Sequence, residues 1–157
     1  MRRLIRVYAD TSVFGGAYDE EFDTASLAFF QEVCEGKRRL VVSDIVRREI
    51  AAAPEPVRFL FDERLADAEI AAVTPESLQL RQAYLQAGIL TPKWMDDALH
   101  VAVATVANCD VIVSWNFKHI VHYQKIPLFN AVNALEGYNS IWIHSPQEVI
   151  DYEDEDV

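Results

Sequence analysis

Apolar positions recur along the chain at two spacings, and the alternation between them lays out the elements. Leu4-Ile5-Arg6-Val7-Tyr8-Ala9 reads as a short strand ending at Asp10-Thr11-Ser12. From Thr24 to Cys34 the spacing becomes helical, with Leu27, Phe30 and Cys34 on one stripe and Gly36 near the C-cap. Leu40-Val41-Val42 is a second strand. Ser43 or Asp44 then caps a helix that runs to Ala53 and stops at Pro54. Another helix covers Pro56 to Asp67, and Ile70 to Val73 is a third strand. Thr74-Pro75-Glu76 opens a helix that ends near Gly88. A helix from about Trp94 to Asn108 leads to a fourth strand, Val111 to Ser114. A shorter helix around Pro127 to Leu135 precedes a fifth strand, Ile141 to Ile143. Ser145-Pro146-Gln147-Glu148 has the capping-box form and starts a last short helix. Gly15-Gly16 reads as a turn.

No hairpin signal joins any two strands, and a helix follows each. That pattern predicts an α/β chain: a three-layer α/β/α sandwich around a central, mainly parallel sheet of about five strands. Ligands of such sheets bind beyond the carboxyl ends of the strands. A length of 157 residues suits one core, so residues 1–150 are expected to form a single domain. Residues 151–157 carry five acids, Asp151, Glu153, Asp154, Glu155 and Asp156, and are expected to be a disordered tail.

Charge narrows the function classes. With 14 Lys and Arg against 25 Asp and Glu, the net charge is -11. That argues against a protein that holds DNA mainly by neutralising phosphates. It leaves room for an enzyme that reaches phosphate through a bound cation. Cys34 and Cys109 lie in apolar runs, lack zinc-ligand spacing and read as small buried side chains of a reducing compartment. No apolar run reaches the roughly 18 residues of a membrane span. The segment after Met1-Arg2-Arg3 is too short for a signal peptide, so a cytoplasmic location is expected.

Four residues fall where chemistry is expected. Asp10 ends the first strand, where the alternative is an Asp that caps a turn or helix. Glu49 lies roughly 40° from the centre of the apolar stripe Ile45, Val46, Ile50 and Ala53, while Arg47 and Arg48 point away. An inward carboxylate is costly unless it is paired or bound to a metal. On the helix after Trp94, Asp97 lies about 80° from the buried stripe and Asp96 roughly 180° from it, so Asp97 is the candidate. Asn116 follows the fourth strand, where a turn role is the alternative. Asp110 starts that strand, at the opposite rim. His100, His119, His122 and His144 show no ligand spacing, and His119 and His122 read as surface or capping residues. Clustered oxygen ligands repel unless a hard cation lies among them, which points to Mg2+ or Mn2+.

On these pieces the chain resembles PIN-domain proteins of the kind seen in the VapC toxins of VapBC toxin–antitoxin pairs. The matching motifs are the strand ending in Asp10-Thr11-Ser12, Glu49 on the helix after the second strand, Asp97-Ala98-Leu99-His100-Val101-Ala102, and Ser114-Trp115-Asn116-Phe117. Their order and spacing match from about residue 4 to residue 144. The resemblance implies a Mg2+- or Mn2+-dependent endoribonuclease with RNA as substrate, a small antitoxin partner and a homodimer. Carried over by position, Asp10 and Asp97 would be the main metal ligands, and Glu49 a ligand or the group that orients a metal-bound water. Asn116 stands where many members have a fourth acid. The alternatives are a PIN-like binding module without activity and a solitary RNA-processing nuclease.

Overall fold

The computed structural model describes residues 3–151. Five strands form one wholly parallel sheet: β1 (Arg6–Ala9), β2 (Arg39–Ser43), β3 (Glu69–Ala71), β4 (Val111–Val113) and β5 (Trp142–His144). Their order across the sheet is β3-β2-β1-β4-β5. Among the described residues eight helices connect and flank them: α1 (Thr11–Gly16), α2 (Asp23–Cys34), α3 (Asp44–Ile50), α4 (Glu55–Leu65), α5 (Pro75–Gln86), α6 (Met95–Val106), α7 (Ile126–Leu135) and α8 (Pro146–Val149). A 3-10 turn at Pro92–Trp94 leads into α6.

The strand order sets the layers. From β1 the chain steps outward to β2 and β3, then jumps back past β2 and β1 to β4 and steps outward again to β5. Parallel crossovers are right-handed, so connections running in opposite directions lie on opposite faces. The helices accordingly pack as two groups: α1 to α4 with α8, and α5 to α7. Central strands covered on both faces need apolar side chains at consecutive positions rather than alternate ones. Val7, Tyr8, Ala9, Leu40, Val41, Val42, Ile112 and Val113 are all buried. The reversal of winding falls between β1 and β4, and there a crevice opens at the strands' carboxyl ends.

The α/β/α architecture is the one the sequence patterning predicts, with local differences. The stretch read as a turn at Gly15-Gly16 is the end of α1. Two glycines cost a helix about 1 kcal/mol each. Burying Val13 and Phe14 gains about 2 kcal/mol each and outweighs that cost. Gly16 is also needed for space: a Cβ there would sit 2.6 Å from Trp115 Nε1 and 2.8 Å from Ser26 Oγ. Those two atoms hydrogen-bond at 2.8 Å and tie the loop after β4 to α2. The buried face of α2 is Ser26, Phe29, Phe30 and Val33, so Leu27 and Cys34 lie outside it and Cys34 is exposed. Cys109 is buried, as expected. Among the described residues no helix is long and apolar enough to cross a membrane.

At the amino-terminal rim, Asp110 accepts the Arg6 backbone N–H at 2.8 Å and pairs with Arg3. This is the rim opposite the crevice, where the sequence places Asp110. Asp151 is held by its backbone N–H, which donates to Glu32 at 2.6 Å, and by ion pairs of 3.5 Å to Lys37 and Arg38. The rest of the acidic run expected to be a disordered tail, residues 152–157, lies outside the described residues.

Candidate active site

Asp10 follows β1 directly and is 3 % exposed. It is the N-cap of α1, accepting the Ser12 backbone N–H at 3.1 Å and the Ser12 hydroxyl at 2.6 Å on Oδ1. Its Oδ2 accepts the Ser114 hydroxyl at 2.6 Å. Capping and a role in chemistry are thus compatible in one residue. Among the described residues every donor to Asp10 is neutral. Burial therefore pushes its carboxyl above the usual range, against the pull of the His100 charge and the two serine hydroxyls.

Ser114 carries the network on to the next strand. Its hydroxyl oxygen accepts the Asn116 backbone N–H at 2.9 Å. The Asn116 side-chain oxygen accepts the His119 backbone N–H at 3.0 Å, so Asn116 performs the turn role. The His119 ring, 7 % exposed, hydrogen-bonds Asp97 Oδ2 through Nδ1 at 2.8 Å and packs on Trp94 with ring centroids 4.3 Å apart. His119 is thus a buried partner of a candidate acid, not the surface or capping residue its spacing suggested. Asp97 is half-buried, whereas Asp96 is exposed and reaches Arg48 at 3.5 Å. That separation of faces is the one the helical periodicity predicts.

Glu49 is also half-buried, at the inward edge of α3. Its Oε1 lies 2.5 Å from His100 Nε2. The other ring nitrogen of His100 lies 2.7 Å from the Tyr8 hydroxyl, which lies 2.7 Å from Ser43 Oγ. When the imidazole is protonated it donates to Glu49 and to Tyr8, and Tyr8 donates onward to Ser43. Burial lowers the pKa of His100, but the Glu49 hydrogen bond and the charges of Asp10, Glu49 and Asp97 outweigh it, leaving it raised above 6.5. Burial raises Glu49, but its bond to His100 and the His100 charge hold it below 4.5. The Thr11 hydroxyl is buried near Glu49 without a hydrogen bond of ordinary length.

These shifts have a consequence for stability. A raised His100 contributes stability that is complete below pH 6.5 and lost as pH rises through its folded value. A lowered Glu49 contributes stability that is complete above pH 4.5 and lost as pH falls through its folded value. The pair therefore contributes fully between those limits. Melting temperature should decline above pH 6.5 in the wild type and hold level over that range in His100→Gln. Parallel profiles for the two proteins would remove the charged pair from the account.

All four residues thus meet at one rim, held by two hydrogen-bond networks that α6 brings side by side. Asp10, Ser114, Asn116, His119 and Asp97 are joined by hydrogen bonds, and His100, one turn along α6 from Asp97, holds Glu49. Sequence reasoning missed Ser12, Ser114, Tyr8, His100 and His119. The available signal was position: Ser12 and Ser114 flank strand ends, and His100 is three residues past Asp97 on the buried face.

The oxygen donors fit a hard cation in kind. Among the described residues no three acidic, His or Cys side chains converge as a ready cage. Mg2+ does not require one, because it commonly keeps several waters and takes only one or two carboxylates. A buried carboxylate contacted only by neutral donors suits that mode.

No protein-family model and no curated protein matches the sequence. Solved structures do match the fold. The VapBC2 structure from Rickettsia felis, bound to a DNA fragment from its promoter, aligns with a TM-score of 0.57 at 15% identity, over 90% of this chain and 98% of that one. FitAcB from Neisseria gonorrhoeae aligns with a TM-score of 0.55 at 13% identity, over 91% of this chain and 99% of that one. At such identities the likeness speaks for the fold, and the chain has the PIN-like α/β/α fold that its motifs led one to expect.

Proposed function

We propose that the chain is a Mg2+- or Mn2+-dependent endoribonuclease and the toxin of a VapBC-type toxin–antitoxin pair. The observation that carries this is Asp10, a buried carboxylate at the switch point of a parallel sheet, contacted only by neutral donors. Asp10 and Asp97 would hold the cation, with Glu49 as a further ligand or as the acceptor that orients the attacking water. When bound, the ion would neutralise charge building on the phosphate oxygens and make water more acidic.

The other residues prepare this. Ser12 and Ser114 fix both oxygens of Asp10, His119 fixes one oxygen of Asp97, and His100 fixes one oxygen of Glu49. Supporting contacts of this kind typically matter tenfold to a hundredfold in metal sites. The VapBC2 structure of similar fold is a toxin–antitoxin pair bound to promoter DNA, which supports a small antitoxin as partner. A homodimer and a cytoplasmic location complete the proposal.

The test is incubation of the purified protein with single-stranded RNA in Mg2+, in Mn2+ and in EDTA. Cleavage should appear only with a cation and leave 5′-phosphate ends. RNA left whole in both cations would favour the PIN-like binding module without activity. Cleavage that persists in EDTA would remove the cation from the mechanism.

A further inference from the structure

Many of the chain's cations already have partners: Arg3 pairs with Asp110, Arg6 with Glu69, Arg38 with Glu32 and Arg48 with Asp96. Lys93 and Lys118 are among those that do not, and they stand together. Both are exposed, and among the described residues neither takes part in an ion pair. Both ammonium groups lie against one indole, at 5.0 Å and 5.6 Å from the Trp94 ring centroid. The ring attracts each cation, while the two repel each other. An anion between or beside them would relieve that repulsion.

The position of the pair gives it meaning. Trp94 packs on His119, and His119 holds Asp97, so the two lysines stand at the border of the candidate site. The loop that carries Lys118 also carries Phe117, which is 49 % exposed. The Phe117 ring centroid lies 6.0 Å from that of Trp115 and 6.4 Å from that of Phe22, which is itself stacked on Trp115 at 4.2 Å. Phe117 meets Trp115 edge-to-face, with 70° between the rings, and Phe22 at 56°, so its neighbours hold the ring in place and its exposed part is available to a base. Together with two free ammonium groups it matches one nucleotide step: a base for the ring and phosphates for the cations.

We infer that Phe117, Lys93 and Lys118 form the landing surface for a single-stranded segment of the RNA, delivering it to Asp97. The inference rests on the ribonuclease reading for its substrate. Single strands are specified because a duplex keeps its base faces stacked and offers none to Phe117. Trp94 is a positioning residue that gathers the lysines and supports His119. The surface also explains how a chain of net charge -11 would hold a polyanion: attraction is confined to one border of the site.

The experiment is anisotropy of a labelled single-stranded RNA oligonucleotide in EDTA, which reads binding apart from cleavage, over a series of salt concentrations. The slope of log affinity against log salt should become shallower by about 1.4 in K93Q/K118Q, about 0.7 for each phosphate contact on a single strand. Phe117→Ala should weaken binding roughly tenfold with the slope unchanged, and Phe117→Trp should retain it. An unchanged slope in the double variant, no wild-type binding, or equal affinity for an acidic peptide would each overturn the inference. The two readings fail separately. RNA bound in this way but never cleaved in Mg2+ or Mn2+ would end the nuclease reading alone. Cleavage by a wild type whose slope matches that of K93Q/K118Q would end this one alone.

Discussion

Asp10→Asn should reduce cation-dependent RNA cleavage by at least about a hundredfold while making the protein more heat-stable. The activity loss is set by comparison: removing even a supporting partner of a metal ligand costs 10- to 100-fold, so losing the ligand costs at least the upper end. The stability gain follows from the same burial that qualifies the residue for chemistry. Asp10 gains stability from being neutral in the fold, and that contribution is lost as pH rises from 3.8 through its raised folded value. Near neutral pH the ionised form is therefore a strain on the fold. An Asn keeps an oxygen for the Ser12 backbone N–H, and the Ser114 hydroxyl can turn to accept the new amide hydrogens. Release of the buried charge should stabilise by roughly 1 kcal/mol, in the range of other site-for-stability exchanges. For a chain of this size that is about 2–4 °C in melting temperature. Cleavage assays in Mn2+ and melting curves on the same preparation check both halves. Full activity combined with a lower melting temperature would make Asp10 a helix cap and nothing more.

The second large effect separates two neighbours. Asp97→Asn should lose at least about a hundredfold in cleavage rate, by the same ligand argument, while Asp96→Asn stays near wild type. An amide at position 97 can still meet His119 Nδ1, so the loop should keep its place and only the charge is lost. Asp96 is exposed, and its ion pair with Arg48 is of the class worth at most about 1 kcal/mol. Initial rates in saturating Mn2+, with circular dichroism to verify folding, decide the matter. Reversed sensitivities at 96 and 97 would contradict the helix-face geometry as a guide to the site.

Much of this site was legible one residue at a time. The angles of Glu49 and Asp97 from their apolar stripes place them at the inner edge, and both are half-buried where Asp96, Arg47 and Arg48 are exposed. Helical periodicity carries that information because a stripe about 100° wide defines inside and outside before any partner is known. Asp10 stands out by its place at a strand end. The partners of these acids were not legible in the same way. His100 and His119 have no ligand spacing between them, because each meets its acid across the fold: His100 meets Glu49 of another helix, and His119 meets Asp97 from a loop. Asn116 sits at the expected rim, but which way its amide oxygen turns depends on the backbone of His119.

The chain's own pattern determined the strands, most of the helices and the parallel sense of the sheet, since these follow from period, caps and the absence of hairpin turns within short windows. It also determined which rim the candidate residues share, because parallel strands place all their carboxyl ends together. Only the tertiary structure decided that Thr11–Gly16 is helical, because two buried side chains there outweigh local propensity. It alone decided that the strand order is β3-β2-β1-β4-β5, which sets Asp10 beside Ser114 across the switch point. And it alone decided that each candidate acid meets a neutral hydroxyl or a histidine. Apart from Ser12, two residues past Asp10, such pairings span tens of residues along the chain, and no local spacing encodes them.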